Sequence, residues 1–174
     1  LWGIPSIVYG VFGFALMMAL GMRASLLAGI VTVALLEFPI AARGMDEVVR
    51  LVPRGLREAA FGLGATKIEV AAGVIMKQVL PGLLTAVLVA FGRGIGDAAS
   101  VLFTAGFSDR VPVSPADPAA TLPLAIFFQL GTPYPEVQAR AYAAALVLTV
   151  FILAVSIISR AASRRFERNR VSGD

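Results

Sequence analysis

Long stretches without charged residues dominate this chain and restrict its fold more than any other feature. Residues 1–22 carry no charge, residues 24–42 carry only Glu37, and residues 141–159 carry none. About 20 apolar helical residues cross a bilayer core of about 30 Å. The chain is 58% hydrophobic and 15% charged, which is more apolar than a typical soluble domain. We therefore expect an all-α integral membrane protein.

Four membrane-spanning helices are predicted, and the first two are joined by so short a turn that they should form an antiparallel hairpin. Pro39 is expected to kink or end the second helix, because proline lacks a backbone donor. The predicted spans are residues 3–22, 24–42, 78–105 and 139–159.

The third span is interrupted by Arg93 and Asp97 in the stretch "LVAFGRGIGDAASVLF". The charge-free pieces on either side, residues 78–92 and 98–108, are each too short to cross a bilayer, and together they are longer than necessary. We expect this element to be tilted, broken or partly outside the bilayer, with its glycines as the weak point.

The distribution of cations predicts the orientation. Residues 43–77 contain six Lys or Arg and residues 160–174 contain five, whereas the opposite side has three, Arg23, Arg110 and Arg140. Cytoplasmic segments carry the excess of basic residues. The 43–77 loop and the basic tail, residues 160–174, are thus expected in the cytoplasm of a multi-pass cell (inner) membrane protein. Residues 106–137 are expected to form an extracytoplasmic loop with a short apolar helix.

The cytoplasmic loop has strong local signals. In "REAAFGLGATKIE", good helix formers precede Gly62 and Gly64, which can end a helix. Thr66 and Glu69 have the spacing of a capping box. We expect two short helices with a glycine elbow, although a solvated connector on the membrane surface is the simpler alternative.

Several function classes are disfavoured by what the chain lacks. It contains no Cys and no His, which removes thiolate chemistry and the commonest general base and metal ligand. It has no phosphate-binding GxxxxGK[ST] motif, and its cations do not form one basic face for nucleic acid. We expect no enzyme activity, cofactor or metal of its own.

The segment "REAAFGLGATKIEVAAGVIMKQVLPG" resembles the EAA loop of ATP-binding-cassette (ABC) importer permeases, with matches at Glu58, Ala59, Ala60 and Gly64. The stretches "GIPSIVYGVFG" and "GRGIGDAASVLFTAG" make the whole chain similar to permeases of phosphate-specific (Pst) importers, most like the PstA type.

This resemblance implies a type I importer permease, a MetI-like bundle of about six membrane helices, of which this chain would be the C-terminal portion with four. The EAA helix would dock on a cytoplasmic ATPase that binds the ATP. Other implied partners are a second permease subunit, an extracytoplasmic phosphate-binding protein and membrane lipid. A pair between Glu58 and Arg54 or Arg57 is the structural alternative.

Pst permeases carry an Arg four residues before an acidic residue in an Ala-Arg-x-x-Gly-Glu context. Arg93 and Gly96 match it, Asp97 replaces the Glu and Gly92 the Ala. Residues four apart share a helical face. Arg93 would then face the path of an anion, with Asp97 holding it and weakening its affinity. The alternatives are an ion pair that only fixes helix packing, or two charges near the outer interface.

The function implied is therefore a permease subunit that couples ATP hydrolysis by a partner to phosphate import. The alternatives are an ABC permease for another oxyanion such as molybdate or sulfate, and an ion-driven secondary transporter. A membrane-embedded enzyme is disfavoured, because Glu37 and Asp97 are the only acids in the predicted spans.

Overall fold

The described part of the chain is all-helical. A computed structural model describes residues 4–167, with side chains described as far as Ala161, and this range contains no β-strand. A π-helical turn, Val70–Ile75, joins α4 to α5. The helices are α1 (Ser6–Ala19), α2 (Leu26–Arg50), α3 (Arg54–Gly62), α4 (Lys67–Glu69), α5 (Met76–Ile95), α6 (Leu122–Leu130) and α7 (Pro135–Glu167). Residues 1–3 lie outside the described residues, and so do residues 168–174, which are the end of the predicted basic tail.

Within residues 4–167, three helices are long and apolar enough to cross a membrane, where four were predicted. The first predicted span, residues 3–22, instead contains α1, which has 14 residues. At 1.5 Å per residue α1 is only about 21 Å long, short of a bilayer core of about 30 Å. The three candidates are Leu26–Arg50, the continuous run Lys67–Ile95 and Pro135–Ala161.

Helix α2 does not end where the sequence suggested. Pro39 lies inside it, and the helix continues into residues that were expected to begin the cytoplasmic loop. The charged extension is helical because it carries pairs at the i,i+4 spacing that stabilises helices. These are Arg43 Nε to Glu47 Oε1 at 3.2 Å and Arg50 Nε to Asp46 Oδ2 at 2.7 Å.

The third predicted span is broken, which was one of its three expected forms. Helix α5 ends at Ile95, and turns follow over residues 99–105. The glycines at 92, 94 and 96 favour an end here, because each costs about 1 kcal/mol in a helix relative to Ala. Arg93 is therefore in the last turn of α5, and Asp97 lies beyond the helix.

The chain divides into two compact units. Unit 1 comprises residues 1–40 and 91–155, and unit 2 comprises residues 41–90 and 156–174. In unit 1 the core cluster consists of Val101 and Ala105 from the turns after α5 and Leu124 from α6, with Val33 and Leu102 packed against it. Thr121 caps α6 by accepting a hydrogen bond from the Leu124 N–H through its hydroxyl.

The proline-rich loop of unit 1 closes the start of α2. Asp117 O accepts from Leu26 N and Pro115 O from Leu27 N, both at 2.8 Å. The Asp117 carboxylate in turn accepts from Val113 N and Ser114 N at 3.0 and 2.9 Å. The loop thus satisfies donors that the first turn of a helix leaves without an intrahelical partner.

Unit 2 contains the predicted helix–elbow–helix segment. After α3, Gly64 adopts a φ of 82°, a left-handed conformation that glycine reaches without steric cost. Thr66 then caps α4, and the capping box with Glu69 is complete, since each residue's side chain accepts from the other's backbone N–H. The second helix is not short, however, because α4 runs through the π-helical turn into α5.

Candidate functional site

The guanidinium of Arg93 lies at an open cavity of about 190 Å³ in unit 1. Its side chain is 52% exposed although it belongs to an apolar candidate span. The cavity is otherwise lined by Ile4, by Tyr9 of α1 and by Leu36 and Ile40 of α2. An apolar wall around one exposed cation is a strong feature, because a charge within a membrane segment is costly unless it is paired, hydrated or used.

Arg93 forms an ion pair with Glu37 of α2. The predicted pairing of Arg93 with Asp97 was wrong. The shortest contact joins Arg93 Nη1 to Glu37 Oε1 at 3.9 Å. The expected i,i+4 pairing required one continuous helix, and α5 ends at Ile95, between the two residues. The four-residue spacing therefore no longer places Arg93 and Asp97 on a common helical face.

Asp97 instead organises the turn after α5. Its Oδ2 accepts a hydrogen bond from Ser100 N at 2.9 Å, and Ser100 itself is fully buried. The Asp97 carboxylate therefore stabilises the backbone of this turn.

Glu37 is held in an unusual state. Its side chain is only 14% exposed, and both carboxylate oxygens are buried without a hydrogen-bond partner in the described part of the chain. It packs against α5 at Gly94, where an added Cβ would lie 3.2 Å from Glu37 Cγ and 3.5 Å from Cδ. An alanine at position 94 would require the Glu37 side chain to shift by a few tenths of an ångström.

Arg93 leaves its donors unused. Guanidinium presents five N–H donors in a planar fork. At 3.9 Å the contact with Glu37 is electrostatic rather than a hydrogen bond, and among residues 4–161, whose side chains are described, the Arg93 side chain donates no hydrogen bond. The arrangement can therefore offer several donors to an anion that enters the cavity.

Glu37 is the functional candidate that the sequence analysis missed. The available signal was its position as the sole charge of residues 24–42. What concealed the pairing was distance along the chain: Glu37 and Arg93 are brought together only by the packing of α2 against the end of α5.

In unit 2, the residues of the EAA pattern lie on and after α3, a helix with no buried residue. Glu58 and Ala59 are exposed and Ala60 is half-buried. The alternative pairing of Glu58 with Arg54 or Arg57 is not formed: in the described part of the chain its side chain makes no ion pair, and Arg57 donates to Val49 O at 3.4 Å.

Large apolar side chains surround this segment and are also exposed. They are Leu51 before α3, Phe61 and Leu63 at its end, and Ile68 in α4. Among the described residues, no group of three or more His, Cys, Asp or Glu is placed to hold a metal.

Comparison with known proteins gives a consistent result. Residues 1–168 match the family described as the binding-protein-dependent transport system inner membrane component. Similar proteins include the phosphate transport system permease proteins PstA of Yersinia pestis, 35% identical over 90% of this chain and 53% of the relative, and of Xylella fastidiosa strain Temecula1, 38% identical over 90% and 55%.

The PstA protein of Mycobacterium leprae is 35% identical over 98% of this chain and 57% of its own length. The chain thus spans about half the length of the curated relatives it matches. No solved structure matches it.

Proposed function

Because the chain belongs to the family of binding-protein-dependent transport system inner membrane components, we propose that it is a membrane-spanning permease subunit of an ABC importer for inorganic phosphate. The names of its relatives support this substrate, since they are phosphate transport permeases. The subunit catalyses no reaction itself. ATP is bound and hydrolysed by a partner, and the permease moves the anion.

The observation that carries the substrate assignment is the half-exposed side chain of Arg93 at the cavity, whose contact with Glu37 is an ion pair without a hydrogen bond. A planar fork of donors matches the oxygens of phosphate and can bind two of them at once. The half-exposed side chain is accessible to such an anion, and its hydrogen-bond donors are unused by residues 4–161, whose side chains are described. Arg93 is thus proposed as the substrate contact, and Asp97 as a nearby charge that shapes the turn.

The proposed ATPase contact is the helix–elbow segment of unit 2. Glu58, Ala59, Ala60 and Gly64 form its core. The exposure of α3, the small side chains at 59 and 60 and an acidic side chain without an ion pair suit docking onto a partner. Binding there would transmit movement of the ATPase to the permease.

The remaining partners follow from the same proposal. A homologous second permease subunit would complete the transmembrane pathway, and an extracytoplasmic binding protein would deliver phosphate. The excess of cations in residues 43–77 and 160–174 supports a cytoplasmic location for both segments in the cell (inner) membrane.

Another oxyanion is the second candidate, because molybdate and sulfate are also tetrahedral and would be bound by the same guanidinium. Competition of each unlabelled anion against uptake of labelled phosphate separates them. An ion-driven secondary transporter is distinguished by uptake that survives loss of the ATPase partner.

The test is Arg93→Ala in the full-length protein. We expect phosphate uptake to fall at least about tenfold, as for loss of a charge-assisted contact of about 1.5–3 kcal/mol, while the ATPase still co-purifies. Arg140→Ala is the matched control, since it removes an exposed arginine from unit 1 away from the cavity.

Normal uptake by Arg93→Ala would reject the role of Arg93 as substrate contact. Loss of the co-purifying ATPase in that variant would favour an ion pair that only fixes helix packing.

A further inference from the structure

We propose that Glu37 is an internal competitor for Arg93: its carboxylate occupies the guanidinium when the cavity is empty, and an incoming phosphate displaces it. This inference rests on the proposed function, since it assigns a role within the same anion site. It names a specificity-determining residue that lies outside the sequence pattern of Arg93 and Asp97.

The first argument is the length of the pair. Strong Arg–carboxylate pairs are bidentate with N–O distances of about 2.7–2.9 Å. The Glu37–Arg93 contact is 3.9 Å, and neither carboxylate oxygen accepts a hydrogen bond from residues 4–161, whose side chains are described. The pair is therefore held by attraction between charges and not by a directional bond, so that a better hydrogen-bonding anion can replace the carboxylate.

The second argument is how the carboxylate is placed. Leu36 and Ile40, which flank Glu37 on α2, line the cavity with Arg93. Gly94 provides the space in which the Glu37 side chain lies against the last turn of α5. The arrangement places the largely buried Glu37 side chain beside Arg93, which lines the cavity.

The third argument is the contrast with Asp97. Asp97 already accepts a hydrogen bond from Ser100 N at 2.9 Å, so its carboxylate is committed to the turn. Glu37 has no such commitment among the described residues. Of Glu37 and Asp97, Glu37 is therefore the acid that can move when phosphate arrives.

The consequence is a site that binds and releases. A permeating ion must be bound strongly enough to enter and weakly enough to leave. The Glu37 carboxylate beside the guanidinium disfavours a divalent phosphate, and its return to Arg93 promotes departure of the anion. Removing the Glu37 charge should thus tighten phosphate binding and slow release.

The experiment uses Glu37→Gln in the full-length protein, purified with its ATPase and second permease subunit. The neutral amide has nearly the same shape. We expect the complex to bind radiolabelled inorganic phosphate about three- to tenfold more tightly, as for loss of one partly screened opposing charge. Maximal uptake at saturating binding protein should fall by a similar factor.

Two further variants test the mechanism. Asp97→Asn is the matched control, because it removes the other nearby negative charge while its amide oxygen can still accept from Ser100 N; it should change phosphate binding less than twofold. Gly94→Ala keeps every charge but crowds Glu37, so it should tighten binding in the same direction as Glu37→Gln.

Unchanged phosphate binding in Glu37→Gln overturns this inference. If the thermal stability of the complex also falls, the Glu37–Arg93 pair is purely structural. If Glu37→Gln does not assemble, Gly94→Ala decides by the same binding measurement. Failure of the proposed function is distinct: Arg93→Ala would then bind and import phosphate normally, whatever Glu37→Gln does.

Discussion

The cavity at Arg93 and the helix–elbow segment around Gly64 are built in opposite ways. The elbow segment is local: its capping box joins Thr66 to Glu69, and its turn depends on a single backbone conformation. The cavity is non-local, because Glu37 and Arg93 come from different helices and are paired only after folding. Local structure can be predicted from a short stretch of sequence, whereas a pair across two helices depends on where each helix ends.

The same difference separates what the two regions expose. Around Arg93, the residues that the structure describes leave hydrogen-bond donors unused at an open cavity, which suits a small anion. Around α3, they leave apolar side chains exposed and the acid Glu58 without an ion pair, which suits a protein partner. Variants at Arg93 should therefore leave ATPase binding intact, and variants in α3 should leave phosphate binding intact.

Glu58→Arg should produce the largest effect. It reverses a charge on the exposed helix α3, and at the proposed ATPase contact a new like-charge juxtaposition would cost several kcal/mol. We expect co-purification of the ATPase and phosphate uptake both to fall more than tenfold.

Glu47→Arg is the control for Glu58→Arg, since it reverses another exposed acid of unit 2, on α2. If the ATPase remains bound to Glu58→Arg and phosphate uptake is normal, the assignment of ATPase docking to Glu58 and α3 is wrong.

Gly64→Val should have the next largest effect. A β-branched residue at a φ of 82° costs about 1–2 kcal/mol or more. We expect a lower thermal midpoint of the purified complex and weaker ATPase association, measured together.

Gly62→Ala is the matched control for that variant. Position 62 is the last residue of α3, its added Cβ meets no atom within 4 Å, and Ala favours helix there by up to about 1 kcal/mol. If Gly62→Ala lowers the thermal midpoint and Gly64→Val does not, the elbow lies at Gly62 and not at Gly64.

Thr66→Ala sharpens the comparison at a smaller scale, because it deletes one half of the capping box. An N-cap threonine contributes about 1 kcal/mol. Amide exchange at the start of α4 should become about fivefold faster, while phosphate binding is unchanged.

Thr149→Ala is suited as its control, since Thr149 bonds only to Ala145 O within its own helix and is exposed. Equal amide exchange rates at α4 in wild type and Thr66→Ala would indicate that contacts other than the Thr66 cap stabilise the start of α4.

Asp97→Asn should have the smallest effect on stability, within about 0.5 kcal/mol, because the amide oxygen can replace the carboxylate as acceptor for Ser100 N. The thermal midpoint of the complex measures this. A large loss would mean that the Asp97 charge is structurally required, in line with the pairing first expected from sequence.

The membrane class, the helix–elbow segment and the resemblance carried by Glu58, Ala59, Ala60 and Gly64 were all accessible from the sequence. Each depends on composition or on residues within a few positions of one another. The capping box was predicted residue by residue and is present. The differences concern helix ends: α2 continues through Pro39 to Arg50, α1 as described has 14 residues, and α5 ends at Ile95.

Sequence alone determined that this chain is apolar enough for a membrane, that its third predicted span carries an isolated arginine, and that an elbow occurs at Gly64. Only the tertiary structure decided which acid meets that arginine. The reason is physical: capping and turn conformations are set by neighbouring backbone groups, whereas the Glu37–Arg93 pair requires α2 to pack at Gly94 on the end of α5.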